Sequence, residues 1–269
     1  MSNFAVHAAL TTPFAADASV DAAALGAHVD LLVEDGVDGL LVAGTTGEGP
    51  LLEEAELEAV IAAAVEAAAD RIELIAHVGR PSTAAMLRAA TAAAGAGAHA
   101  VMAVTPYYYG HDDDAILGHY RALMDAGHGL PVMAYTYPER TGNELSAEVL
   151  DRLAGEGLAG LKDSTMSPKR QAEYLEVARR HDGLRVMVGS ERLALRALRG
   201  GGAGSVSALA NVRADVLLRV REEGSEDAQE AVDAARAELA GLPDVKRAVS
   251  RRLADRGVTY RPEPRAPLR

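Results

Sequence analysis

Short apolar runs alternate with longer amphipathic stretches along nearly the whole chain. The apolar runs fall at 4–10, 39–43, 72–78, 100–106, 131–138, 158–162, 185–190 and 203–209, and their length is that of strands. Between them, residues 21–34 place Leu25, Val29, Leu32 and Val33 on one helical face and stop at Gly36. Helical spacing also marks 53–69, 82–94, 112–125, 146–153, 167–180 and 191–199, and a further helix opens near Val212. Eight strand-then-helix units at roughly 25 to 35 residues each match the repeat of a (β/α)8 barrel. The runs are continuously apolar, as parallel strands covered on both faces must be. A doubly wound open sheet is the competing α/β arrangement. It carries a glycine-rich phosphate turn after its first strand, whereas this chain has Leu10-Thr-Thr-Pro13 there. The expected fold is therefore a TIM barrel with extra C-terminal helices. The chain reads as one domain over 1–269, with the barrel in 1–222 and a helical extension in 223–269. Helices are expected at 225–242 and 244–256, packed outside the barrel, followed by an extended end carrying Pro262, Pro264 and Pro267.

Composition changes this picture mainly by exclusion. At 269 residues the chain fits either two ordinary domains or one α/β barrel, so the strand–helix pattern decides. A net charge of -12 argues against nucleic acid or an anionic membrane as partner. The absence of cysteine excludes disulfides, thiolate chemistry and a Cys-based zinc site. The first residues lack a basic segment and an apolar core of signal type, and no run has membrane-spanning length, so a cytoplasmic enzyme is expected.

Barrel active sites form at the C-terminal ends of the strands. Those ends carry Thr45, Thr46, His77, Thr105, Tyr107, Tyr108, Tyr135, Tyr137, Lys162, Ser190 and Ser207, with Glu48, Asp163 and Glu191 as the few carboxylates. No His, Asp or Glu group has metal-ligand spacing, so a metal-assisted mechanism is disfavoured. The chain has three lysines. Lys169 and Lys246 fall where exposed helix surface is expected, after Pro168 and beside Asp244, while Lys162 ends an apolar strand. Desolvation lowers a lysine's pKa and frees the amine that attacks a carbonyl carbon. The alternative is a lysine whose stem packs on apolar surface while its head reaches water. In the first case Lys162 forms a Schiff base with a 2-keto acid, a tyrosine shuttles protons, and the Gly44-Thr-Thr-Gly47 turn holds the carboxylate. Each of these parts also has a plain structural reading, as a connecting turn or as rim packing; it is their convergence on one face of one barrel that carries the chemistry.

Five ordered motifs, Gly44-Thr-Thr-Gly-Glu48, Thr105-Pro-Tyr-Tyr108, Tyr135-Thr-Tyr-Pro-Glu-Arg-Thr-Gly142, Gly160-Leu-Lys-Asp-Ser164 and Gly204-Ser-Val-Ser207, give the chain a further signature. In these it resembles the dihydrodipicolinate synthase / N-acetylneuraminate lyase family of pyruvate-dependent class I aldolases, from about Ala8 to about Asn211. The resemblance implies a cofactor-free barrel, a homo-oligomer (dimer or tetramer), and pyruvate plus an aldehyde as substrates. It matches Lys162 to the Schiff-base lysine, Tyr135 to the proton-relay tyrosine and Thr46 to the carboxylate-holding residue. Thr45 matches the hydroxyl that links two tyrosines, Tyr108 the tyrosine lent across a dimer interface, and Val206 the position whose carbonyl faces the pyruvyl group. Subfamily markers diverge. Arg140 resembles the synthase arginine that anchors a semialdehyde carboxylate, whereas His77-Val-Gly79 resembles the lyases. Glu191 and Ser207 could meet a sugar's hydroxyls, but Arg192 departs from that pattern. The tail is short for the family. The reading adopted is a 4-hydroxy-tetrahydrodipicolinate synthase-like enzyme that condenses pyruvate with aspartate semialdehyde. The alternatives are an N-acetylneuraminate lyase or 2-keto-3-deoxy sugar-acid aldolase, and a barrel that only binds a keto acid.

Overall fold

The computed structural model describes residues 4–126 and 129–268; the outermost residues of the expected domain range, 1–3 and 269, lie outside them. Eight parallel strands close into a barrel in sequence order, with β8 paired back onto β1. They are β1 (Ala5–Ala9), β2 (Gly39–Val42), β3 (Glu73–His77), β4 (Ala100–Val104), β5 (Val132–Thr136), β6 (Gly160–Asp163), β7 (Arg185–Val188) and β8 (Gly204–Ser207). The connecting helices are α1 (Ala22–Glu34), α2 (Glu54–Ala68), α3 (Thr83–Gly95), α4 (Asp113–Asp125), α5 (Pro138–Thr141), α6 (Ala147–Gly155), α7 (Pro168–Ala178), α8 (Ala194–Arg199) and α9 (Ala210–Glu223). The tail adds α10 (Glu226–Ala237) and α11 (Leu242–Ala254).

Local chemistry starts these helices. The side chains of Asp21, Ser82, Asp112, Ser146, Ser167 and Ser225 each accept the backbone amide three residues on, which satisfies a donor the helix cannot. Glu53 and Glu56 do the same reciprocally at α2. The short α5 was not expected from the apolar pattern. Pro138 opens it with a preset φ, and Gly142 closes it at φ 72°. The other boundaries agree with the sequence reading to within a few residues.

Each strand presents alternate residues to two apolar layers. Leu41, Ile75, Met102, Met133, Met187 and Val206 fill the barrel interior, while Leu40, Leu74, Val101, Ala134, Leu161 and Val186 pack against the helices. That double burial is why the strand pattern is continuous. At the N-terminal end the interior is closed by an ionic layer. His7 Nε2 lies 2.8 Å from Glu73, and Arg185 donates to both Glu73 oxygens at 3.0 and 2.9 Å. Gly39 leaves room for it, since a Cβ there would lie 2.4 Å from the His7 ring. With the floor sealed, the open end is the one where β2, β5 and β6 deliver their last residues.

α10 packs on α9, and α11 lies against α1 and α9, outside the strands as expected. The tail also does something the sequence did not reveal: Leu239, Ala240, Gly241 and Leu242 reach over the C-terminal mouth of the barrel.

Candidate active site

Strand parity places the site. In the β5–β6 register Tyr135 stands beside Lys162, and in β6–β7 Lys162 stands beside Met187, so all three face the barrel interior. Lys162 is 5% exposed, and its Nζ lies 4.2 Å from the centroid of the Tyr135 ring. Burial pulls its pKa down to about 7, only partly opposed by the charge of Glu191. The Tyr135 hydroxyl lies 3.2 Å from Thr45 Oγ1. Burial raises the pKa of the phenol, hydrogen bonds from Thr45 and Ser164 work the other way, and the phenol stays protonated and able to donate.

Around these groups lies a cavity of about 740 Å³, lined among others by Thr45, Thr46, Tyr137, Val206, Ser190 and Glu191. It runs into a second compartment of about 560 Å³ that contains Arg140, His77, Tyr107 and the apolar tail residues Leu239, Leu242 and Val245. Thr45, Thr46, Tyr137 and Arg236 line both, so the residues 44–47 turn stands between them. Gly189, level with Ser164 toward the mouth, permits close packing beside the end of the Lys162 side chain. A Cβ there would sit 2.1 Å from Ser164 Oγ and 3.2 Å from Lys162 Cε.

The expected residues thus fall into three groups. Lys162, Tyr135, Thr45, Thr46 and Val206 come together in one cavity. Arg140 lies in the adjoining compartment, exposed, with its guanidinium 6.0 Å from the Tyr137 ring. Tyr108 stands apart: it is 85% exposed, at φ 83°, and packs edge-on against Tyr109 outside both cavities.

Glu191 and Ser207 do meet, but they face each other. Ser207 Oγ donates to Glu191 Oε1 at 2.6 Å and accepts the Leu209 amide at 2.9 Å. Glu191 lines the Lys162 cavity, and Ser207, next to the inward Val206, lines neither compartment. His77 Nε2 accepts the Val104 amide at 3.2 Å. Burial, then the charges of Arg80 and Lys162, push its pKa to about 3, so it is neutral.

Three expectations are corrected. Lys246 is not on exposed helix surface: its side chain is fully buried, and Nζ lies 2.7 Å from Glu48 Oε1. Glu48 is therefore no free pocket carboxylate, since its second oxygen accepts the Arg265 amide at 2.6 Å. Asp163 turns away from the barrel interior, as the residue after an inward Lys162 must, and accepts the Thr165 amide and hydroxyl at 2.8 and 2.7 Å. Conversely, Arg236, Leu239 and Ala240 line the Lys162 cavity without any sequence signal, because their docking depends on the tail's path. Ser164 and Gly189 also line this cavity, and their positions just after β6 and β7 are the sequence signal for it.

Comparison with known proteins gives one consistent result. The chain matches the dihydrodipicolinate synthetase family over residues 3–268. It is 37% identical over 243 residues to an uncharacterised DapA-like lyase of Halobacterium salinarum, covering 90% of this chain and 78% of that protein. It is 34% identical over 245 residues to the 4-hydroxy-tetrahydrodipicolinate synthase of Stenotrophomonas maltophilia, covering 91% of this chain and 82% of that one. Among solved structures, dihydrodipicolinate synthase from Aquifex aeolicus superposes with a TM-score of 0.87 at 28% identity, over 99% of this chain and 92% of that one. With a closed eight-stranded barrel, a match along its whole described length and relatives of this identity, the chain belongs to the dihydrodipicolinate synthetase family and is a class I lyase of the aldolase type.

Proposed function

We propose that the protein joins pyruvate to an aldehyde, or cleaves the reverse product, through a Schiff base on Lys162, and that aspartate semialdehyde is the aldehyde. The observation that carries the reading is the buried Lys162 amine, held at a pKa of about 7 against the ring of a phenol bonded to Thr45. A binding-only barrel has no need of such an amine.

In this reading the neutral amine attacks C2 of pyruvate. The new C–N bond pushes the carbonyl electrons onto oxygen, which takes a proton relayed by Tyr135, and the carbinolamine loses water to give the iminium. Removal of a proton from C3 gives the enamine, whose carbon attacks the aldehyde. Thr46 and the amides of its turn hold the pyruvate carboxylate, and Val206 offers its carbonyl to the pyruvyl group, as preorganised dipoles at the reacting centre.

Arg140 favours an acidic second substrate: it lines the adjoining compartment together with Thr45 and Thr46 and brings a planar donor fork to it. The apolar tail wall of that compartment, and the position of Ser207 outside both cavities, disfavour a polyol aldehyde. Tyr108 and Tyr109, 85% and 68% exposed, support a homo-oligomer, dimer or tetramer, in which Tyr108 enters a neighbour's site. Residues 223–268 pack onto the barrel, consistent with one domain. Among the described residues no helix is long and apolar enough to cross a membrane, and a cytoplasmic location is part of the proposal. The test is a panel of aldehydes with pyruvate, read by product formation. A protein that takes sugar aldehydes and ignores the semialdehyde would overturn the choice of substrate.

A further inference from the structure

Glu48 ends the turn that carries Thr45 and Thr46, and it does so at φ 58°, a left-handed conformation that an ordinary residue adopts only under constraint. Its two carboxylate oxygens are held from far along the chain. Oε1 receives Lys246 Nζ of α11 at 2.7 Å, and Oε2 receives the Arg265 amide at 2.6 Å. Lys246 Nζ also donates to the Glu263 carbonyl at 3.2 Å. The Arg265 guanidinium reaches forward to Glu56 at 2.5 and 2.6 Å and to the Leu51 carbonyl at 3.1 Å. Both cations lie over one ring, that of Phe14, at 4.8 Å for Lys246 and 4.3 Å for Arg265. Phe14 belongs to the loop after β1, whose Thr12 hydroxyl donates to the Gly47 carbonyl at 2.7 Å. Beneath the turn there is no spare room: a Cβ on Gly49 would lie 1.8 Å from the Ala43 carbonyl oxygen. The turn is therefore fixed from below and behind, and open only where Thr45 and Thr46 face the cavity.

We propose that Lys246 and Arg265 are positioning residues: through Glu48, the C-terminal tail sets the geometry of the Thr45–Thr46 turn that receives the keto-acid carboxylate. The inference rests on the reading of that turn given above and adds the tail to it. A plain stabilising staple is the rival account. A fully buried ion pair is a poor device for stability, because desolvating both charges offsets most of their attraction and an apolar pair of the same size often does as well. What an apolar pair lacks is direction. Two donors on opposite oxygens of one carboxylate fix the orientation of Glu48, and with it the peptides immediately before it.

The test uses the full-length protein and does not need the aldehyde. Pyruvate is titrated in the presence of borohydride, and the reduced adduct per chain gives a half-saturating concentration and a ceiling. Three variants are compared with the parent: Lys246→Met, the double variant Glu48→Gln with Lys246→Met, and Arg265→Ala. The double variant keeps an acceptor for the Arg265 amide and buries no unpaired charge, so it folds even if Lys246→Met does not. Because an ångström of misplacement in a holding group can cost ~10²-fold, half-saturation is expected to rise about tenfold or more in the Lys246 variants. Arg265→Ala keeps the amide on Glu48 and removes only the guanidinium that ties this stretch of the tail to Glu56 and Leu51. It should therefore move half-saturation in the same direction by a smaller factor, and the ceiling should stay near one adduct per chain. A lowered Tm with unchanged half-saturation in the double variant and in Arg265→Ala overturns the proposal in favour of the staple. So does a lowered ceiling at unchanged half-saturation. A parent that forms no adduct overturns the Schiff-base reading and this inference with it, whereas a parent with adduct and indifferent variants overturns this inference alone.

Discussion

Lys162 Nζ stands 4.2 Å from the centre of the Tyr135 ring, on the neighbouring strand at the same level of the barrel. The ring face attracts the ammonium form, and Glu191 also favours it, yet burial outweighs both and leaves the pKa at about 7. The neutral amine is the reactive species, and its fraction rises with pH. Below a pH of about 7, the initial rate of adduct formation with pyruvate should increase about tenfold per unit; above it the rate should level off. A midpoint near the ordinary lysine value, read from rates across this range, would show that Lys162 is not desolvated in solution.

Tyr135→Phe keeps the ring under Lys162 and removes the hydroxyl that meets Thr45 at 3.2 Å. The barrel should fold normally, with Tm close to the parent. Loss of a positioned proton-transfer group costs on the order of 10² to 10⁴ in rate. Turnover within a few-fold of the parent would make Tyr135 a packing residue.

Gly189→Ala probes the cavity wall beside Lys162. The added Cβ would meet Ser164 Oγ at 2.1 Å and Lys162 Cε at 3.2 Å, so the strand end or both side chains must move. Overpacking of this kind typically destabilises by about 1–3 kcal/mol. The expected result is a lowered Tm together with slower adduct formation at saturating pyruvate; an unchanged adduct rate would show that Ser164 and Lys162 relax without consequence.

Arg140→Ala separates the substrates. Losing a hydrogen bond to a charged group costs about 1.5–3 kcal/mol, equivalent to one to two decades in KM for the semialdehyde, at about 1.4 kcal/mol per decade. Adduct formation with pyruvate alone should remain close to the parent, since Arg140 lies in the adjoining compartment. Equal loss for both substrates would place Arg140 in the pyruvate site instead.

Much of this was legible in the sequence because the fold obeys local rules. Eight apolar runs at a βα spacing gave the barrel, and the residue that ends each run became a residue of its open face, which brought Lys162, Tyr135, Thr45 and Thr46 together. Asp163 could have been placed as well: alternation along a strand turns it outward once Lys162 points in. Lys246 could not. Its helix carries ordinary amphipathic spacing, and only the docking of α11 beside the 44–48 turn, nearly two hundred residues earlier, puts its ammonium against Glu48. Arg236 and Leu239 entered the cavity by the same route, through the path of the tail. Glu191 lines the cavity, but its contact of 2.6 Å with Ser207 is beyond any one-dimensional pattern.

The central claim is that Lys162 is the nucleophile, and the three lysines of the chain make it directly testable. Lys169 is exposed, and Lys246 is buried with its Nζ 2.7 Å from the Glu48 carboxylate, which leaves Lys162 as the buried lysine without a close carboxylate. Incubation with pyruvate and borohydride, followed by digestion and peptide mass analysis, should yield one reduced adduct per chain, on the peptide containing Lys162, and none in Lys162→Ala. An adduct on Lys169 or Lys246, or a catalytically active protein that forms none, would contradict it.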